Sequence, residues 1–305
     1  MKTYLKFLVI IPFLIACGNG EPTVGGEQKE FITDSAPAAD STMVPGVSDE
    51  TRQGLSDYFS EKVIQEIDQF LMHYNAALTD TDFEKAYLEG KALLGVMYDD
   101  LANPQTSYLR ELAVKQEYWS PVEILDELQE FNGQLGPIEI SCVAECSELD
   151  FVFDLQAMLE KSKQTTGSGD EDFLTLLISI DGDYGYAGYN GFKSWFNQTW
   201  DYGGSSLVGD GTLLACVKNY MEYKKKYVLF QSELQLIHED FVDALQNGSS
   251  YNYAQQKILK EYDQVLNLKI FTPEEEKGIR EHYKAIQKGG EPFQFECETA
   301  DCTYG

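Results

Sequence analysis

The chain has 305 residues, with 51 Asp and Glu against 23 Lys and Arg, a formal charge of −28 and a sequence pI near 4.3. A nucleic-acid binder presents a basic face to phosphates, so that class is excluded. Apolar residues make up 43% of the chain, with 19 Tyr and 17 Phe, which excludes disorder throughout and leaves enough length for one large or two small domains.

Lys2 and Lys6 give a short positive region, and the ten residues 7–16 (FLVIIPFLIA) then run without a charge. A run of that length, broken by Pro12, falls short of the ~20 residues a spanning helix needs, so its layout is that of an export signal. It ends in Leu14-Ile15-Ala16-Cys17 followed by Gly18-Asn19-Gly20, and this resembles the lipoprotein box of bacteria. The resemblance implies that 1–16 is a lipoprotein signal peptide and that Cys17 carries lipid, palmitate among it, as the mature N-terminus. It also implies that the protein sits in the cell envelope, held to a membrane by that lipid. Gly18 in place of Asp is compatible, in the best-known sorting pattern, with the outer membrane. Each buried methylene contributes ~0.8 kcal/mol, so two or more acyl chains hold stably. Loss of Lys2 and Lys6 leaves 21 cations against 51 acids, a mature charge of −30, which repels anionic surfaces and favours a domain standing off the lipid.

Residues 18–49 are dense in Gly, Pro, Ser, Thr and acid and show no period. They read as a spacer, so 17–50 is the lipidated Cys with a flexible linker and 51–305 a single mostly helical domain. A coil of about 30 residues reaches roughly 30 Å.

Leu55, Tyr58, Phe59, Val63, Ile64, Ile67, Phe70, Leu71 and Tyr74 recur at helical spacing and predict a helix over 55–78. Thr79-Asp80-Thr81-Asp82 caps a second, carried by Phe83, Ala86, Tyr87, Gly90, Leu93, Leu94 and Met97. Shorter helices are predicted over 105–117, 121–131 and 149–163, and another runs from Asp170 through Ile180. The longest spans 212–246 and stops at Asn247-Gly248; then come 254–268 and a last helix opened by Thr272-Pro273-Glu274-Glu275. The fold class is predominantly α: a helical bundle-like domain with a small two-stranded Cys-bearing ribbon and a long Gly/aromatic loop.

The ribbon comes from two similar segments. Residues 136–146 (GPIEISCVAEC) and 291–302 (EPFQFECETADC) each run Pro, alternating apolar residues, Cys, and a second Cys. Alternation is the strand signature, so the two segments are expected to pair. In an oxidising compartment Cys142, Cys146, Cys297 and Cys302 are expected to be disulfides, with three connectivities open. A zinc thiolate site or free thiols remain alternatives. Cys216, in an apolar helix turn, reads as a buried small hydrophobe.

Residues 181–211 interleave eight glycines with eight large aromatics, which suits neither helix nor strand, so a long connection is predicted, with a short helix across 192–199 as an option. Asp181, Asp183, Tyr184, Tyr186, Trp195 and Trp200 are the candidate ligand-binding residues, since rings stack on sugar faces or receive a partner's side chain and carboxylates hydrogen-bond hydroxyls. The competing reading is that the rings cap the helical core.

No catalytic set emerges. His73, His238 and His282 form no paired metal motif, and no nucleophile elbow is present. Asp80, Asp82 and Glu84 have the opening spacing of a calcium loop, but Lys85 takes the turn-glycine position and Lys91 the twelfth, so they read as helix caps. Lys224-Lys225-Lys226 reads as a solvated helix face. The expectation is a noncatalytic exported lipoprotein, without cofactor or metal, that contacts the membrane through its lipid and binds a protein or glycan at 181–211. The alternative is an envelope hydrolase acting on glycan or peptide with acids from that stretch.

Overall fold

The computed structural model describes residues 46–102, 128–143, 148–181, 186–187, 193–198 and 204–296, all within one compact unit. The predominantly α fold is present. Helix α1 (Asp49–Leu55) starts inside the stretch read as linker, because Ser48 Oγ accepts from the Thr51 N–H at 3.1 Å and caps it. It is strapped to the next helix: the Val47 N–H donates to Asp68 Oδ1 at 2.8 Å, and Arg52 pairs with Asp68 and Glu61. The helix predicted over 55–78 is therefore two pieces. Ser60 caps α2 (Glu61–Ala76), while Leu55, Tyr58 and Phe59, which look like the start of its stripe, are buried ahead of that cap.

Helix α3 (Asp80–Ala102) begins where Thr79 Oγ1 accepts from the Asp82 N–H at 3.1 Å, so Asp80 and Asp82 of the calcium-like spacing lie in its first turn. The helices predicted over 105–117 and 121–131 fall outside the described residues, the second up to 127.

Strand β1 (Ile138–Val143) pairs antiparallel with β2 (Glu148–Asp154), Ile138 opposite Phe153 and Cys142 opposite Leu149; β3 (Tyr186–Ala187) extends the sheet along β2. This corrects the helix predicted over 149–163. Leu149, Phe151 and Phe153 alternate with Asp150, Val152 and Asp154, and only then does Asp154 cap helix α4 (Leu155–Ser162), accepting from the Gln156 and Ala157 N–H groups at 2.9 Å. A two-stranded ribbon carrying Cys142 exists, but its second strand is β2 and not 291–302. Strands adjacent in sequence pair with far less loop closure than partners some 150 residues away.

The 291–302 segment joins a different sheet. β4 (Phe196–Gln198) and β5 (Gly204–Ser206) are antiparallel, β6 (Ser250–Tyr251) runs parallel to β5, and β7 (Gln294–Phe295) parallel to β6. β4 replaces the short helix considered across 192–199.

Helix α5 (Gly169–Asp181) follows the prediction. The long helix predicted over 212–246 breaks into α6 (Thr212–Lys226) and α7 (Gln231–Asn247). No Gly or Pro marks the break. Tyr227 is extended, and Phe230 takes a left-handed conformation, φ +55°, that drives its ring into the core. There it stacks on Phe173 with centroids 3.8 Å apart, and Tyr87 packs edge-on against both rings at 5.6 Å. Neither Gly211 before α6 nor Phe230 before α7 supplies a capping side chain; Asp210 accepts from the Thr212 N–H at 2.7 Å, and carboxylates from distant helices serve the remaining N–H groups. Glu84 of α3 accepts from the Phe230 N–H at the start of α7. At α6 the cap is Glu261, on α8 (Gln255–Leu266), which takes the N–H groups of Gly209, Gly211 and Leu214, the last two at 3.0 and 2.9 Å. Helix α9 (Pro273–Lys288) opens with the predicted capping box of Thr272 and Glu275.

Gly90 in α3 sits under the aromatic core: a Cβ there would lie 2.5 Å from Phe70 and 2.8 Å from Phe153. Among the described residues no helix is long and apolar enough to cross a membrane.

Candidate functional site

In the described part of the Gly/aromatic stretch one lysine bridges two helices. Lys193 Nζ lies 3.1 Å from Asp181 Oδ1, at the end of α5, and 3.0 Å from Asp240 Oδ2 on α7. The Ser194 N–H donates to the Ile180 carbonyl at 2.6 Å, and the Trp195 carbonyl accepts from the Leu207 N–H at 2.8 Å. A second pair lies alongside: Lys91 of α3 meets Glu233 of α7 at 2.6 Å. The buried Tyr87 phenol is electrostatically coupled to both Glu233 and Asp181. Three carboxylates, two ammonium groups and one phenol therefore gather where α3, α5 and α7 meet the stretch.

Burial pushes the Asp181 carboxyl above its usual range, with the Lys193 ammonium opposing. Burial alone would pull Lys193 down, but Asp181 and Asp240 more than offset it and leave its ammonium above the ordinary lysine value. Burial also drives the Tyr87 phenol well above its ordinary value, Glu233 and Asp181 adding to the effect. The partly exposed members, Lys91, Lys193 and Asp240, offer donors and acceptors to solvent.

Three residues after Lys193, Phe196 on edge strand β4 is 40% exposed. Its ring lies across Gly204 of β5, where any Cβ would collide with it. One face of the ring thus covers backbone.

Of the candidates read from sequence, Asp181 lies in the cluster. Trp195 does not present its ring: it is 4% exposed and packs against Phe241 at 5.4 Å, so it belongs to the core reading rather than the surface one. Tyr186 lies in β3, opposite Asp154. Asp183, Tyr184 and Trp200 lie outside the described residues, as do Cys17, Cys146, Cys297 and Cys302; Cys142 is on β1. Cys216 is buried and free, its thiol donating to the Ser179 carbonyl at 3.3 Å.

Lys193, Asp240, Lys91 and Glu233 were not legible as a set. The available signal was that Lys193 is the single cation in 181–211; its partners on α3 and α7 are brought in by tertiary packing alone. The histidines serve as struts: His73 on Glu89 at 2.6 Å, His238 on Glu275 at 3.1 Å, and His282 on the Gly248 carbonyl at 2.8 Å. Among the described residues no group of three His, Cys, Asp or Glu side chains is placed to hold a metal ion.

Comparison of the chain with models of protein families, with curated proteins and with solved structures finds no match.

Proposed function

We propose that the chain is an exported bacterial lipoprotein, held to the outer membrane through lipid on Cys17. Its helical unit acts as a noncatalytic binding module for a glycan or protein ligand at the 181–211 face. The Leu14-Ile15-Ala16-Cys17 box, followed by a spacer rich in Gly, Pro and Ser, carries the first part. The second part is supported by an exposed ring, Phe196, three residues along the chain from Lys193, whose partly exposed ammonium pairs with Asp181 and Asp240, so that one short segment carries a stacking face and hydrogen-bonding groups.

The test is a glycan array and a panel of envelope proteins probed with the parent and Phe196→Ala. Specific binding by the parent that Phe196→Ala removes, with the thermal midpoint unchanged, supports the module; undiminished binding by Phe196→Ala contradicts this face. The hydrolase reading draws on Asp181, whose carboxyl burial raises above its usual range, the direction a general acid needs. It requires measurable glycan or peptide cleavage that Asp181→Asn abolishes while folding is retained.

A further inference from the structure

Four Asn-Gly pairs occur in the chain, at 19–20, 132–133, 190–191 and 247–248. The second and the fourth lie in the described residues, and the structure treats them in opposite ways. Asn132 is locked: its amide nitrogen donates to the Ile140 carbonyl at 3.1 Å and its amide oxygen accepts from the Ile140 N–H at 2.8 Å, closing the outer edge of β1. Asn247 is the exposed last residue of α7. Its amide nitrogen makes a single bond, to the exposed Asp243 carboxylate at 2.6 Å, and its amide oxygen takes no donor among the described residues. The Gly248 N–H likewise has no backbone acceptor among the described residues, although the corresponding group at the end of α6 bonds back into its helix. A Cβ on Gly248 would lie 2.7 Å from the Tyr251 hydroxyl, so a bulkier residue there would displace that ring.

We infer that Asn247 is a self-modification site, converting to aspartate and isoaspartate through a cyclic imide while Asn132 is protected. The Gly248 nitrogen gives its proton to water or hydroxide and attacks Asn247 Cγ. The N–Cγ bond forms, the Cγ–Nδ2 bond breaks, and Nδ2 takes up a proton and leaves as ammonia. Water then adds to either imide carbonyl and opens the ring, so no electrons are transferred and no cofactor is needed. Reaching the attack geometry unwinds only the last residue of α7, a local opening. At Asn132 the same rotation breaks both bonds that close the edge of β1.

The product matters to its surroundings. The Gly248 carbonyl accepts from His282 Nε2 at 2.8 Å and from the Tyr251 hydroxyl at 2.9 Å, tying the end of α7 to α9 and β6. Isoaspartate inserts a methylene into the backbone at residue 247, one residue before that carbonyl. The new carboxylate also sits beside Asp243 at a helix C-terminus, where negative charge is disfavoured.

The test is peptide mapping by mass spectrometry after incubation of the folded full chain at pH 8 and 37 °C, with a urea-unfolded sample as reference. In the unfolded chain the two sites convert at similar rates; in the folded chain conversion at Asn247 outpaces that at Asn132 by about tenfold or more, as expected when only one site opens locally. Equal rates at the two sites in the folded chain, or an Asn247 amide that persists while the unfolded sample converts, overturns the inference.

Discussion

Glu261→Gln is the most direct probe of how the fold closes its α6 terminus. The carboxylate is 2% exposed and accepts three backbone N–H groups, two of them from the glycines at 209 and 211. An amide keeps one acceptor oxygen and turns an NH2 group toward a backbone N–H. One buried donor is left unpaired, at about 1–3 kcal/mol, and the remaining bonds lose their charge assistance. Relief from burying a charge returns part of this, so the net loss is about 2 kcal/mol, which in a domain of this size lowers the thermal midpoint by about 4–8 °C. Circular dichroism at the helix minimum, with urea titration to confirm an unchanged m-value, reads it. A Glu261→Gln protein within about 0.5 kcal/mol of the parent would refute the cap, since that is the range of an ordinary surface change.

Other outcomes follow from the same packing. Gly90→Ala should destabilise, although alanine gains about 1 kcal/mol of helix propensity, because the added methyl meets Phe70 and Phe153 at overpacking distance and costs about 1–3 kcal/mol; a stabilised variant in urea titration counts against it. Phe230→Ala removes the ring stacked on Phe173 and is expected to cost about 3–5 kcal/mol, read as a shifted urea midpoint. Stability should also fall as pH rises. Burial lifts the carboxyls of Glu139, Asp170, Asp181 and Glu261 above their usual values, so each binds a proton more readily folded than unfolded. Their contribution is fully present below about pH 4, where the unfolded groups titrate, and is lost as pH climbs through the folded values. Glu222 and Glu276, held low by their hydrogen bonds, and Glu275, held low against the pull of burial by the Thr272 and His238 contacts, act with the opposite sign only below the ordinary carboxylate value, outside the range tested. His282, lowered by burial, opposes the trend within that range as one group against four. Urea midpoints at pH 5, 6.5 and 8 check this, and a midpoint that rises across the series contradicts it. Finally, two disulfides among Cys142, Cys146, Cys297 and Cys302 would leave the non-reduced protein about 4 Da lighter than the reduced one; an unchanged mass removes the staples.

Helix identity was legible wherever apolar spacing and a cap coincide in sequence, as at Thr79 before α3 and Thr272 before α9. It failed where structure is imposed from a distance. The α6–α7 break depends on Phe230 finding Phe173 and on Glu84, 146 positions earlier, taking its N–H. Strand β2 was hidden because its Leu-Phe-Phe alternation runs directly into the apolar residues of α4. The likeness between the two Cys segments was real at the level of pattern, since both contain strands, yet pattern does not choose partners. At the candidate site Asp181 was visible as an acid among glycines, while Lys193 and Asp240 gain meaning only when α5 and α7 bring them together. Trp195 shows the other side of this: a ring in a glycine-rich stretch carries no sign of which way it faces.

The central claim, a binding module tethered by lipid, rests first on Cys17. Growth of an expressing bacterium with labelled palmitate, followed by isolation of the protein, tests it most directly. The account predicts label on the parent protein, its loss in Cys17→Ala, and a mature chain that begins at residue 17. Label that survives Cys17→Ala, or an unlabelled parent with a different N-terminus, would contradict it.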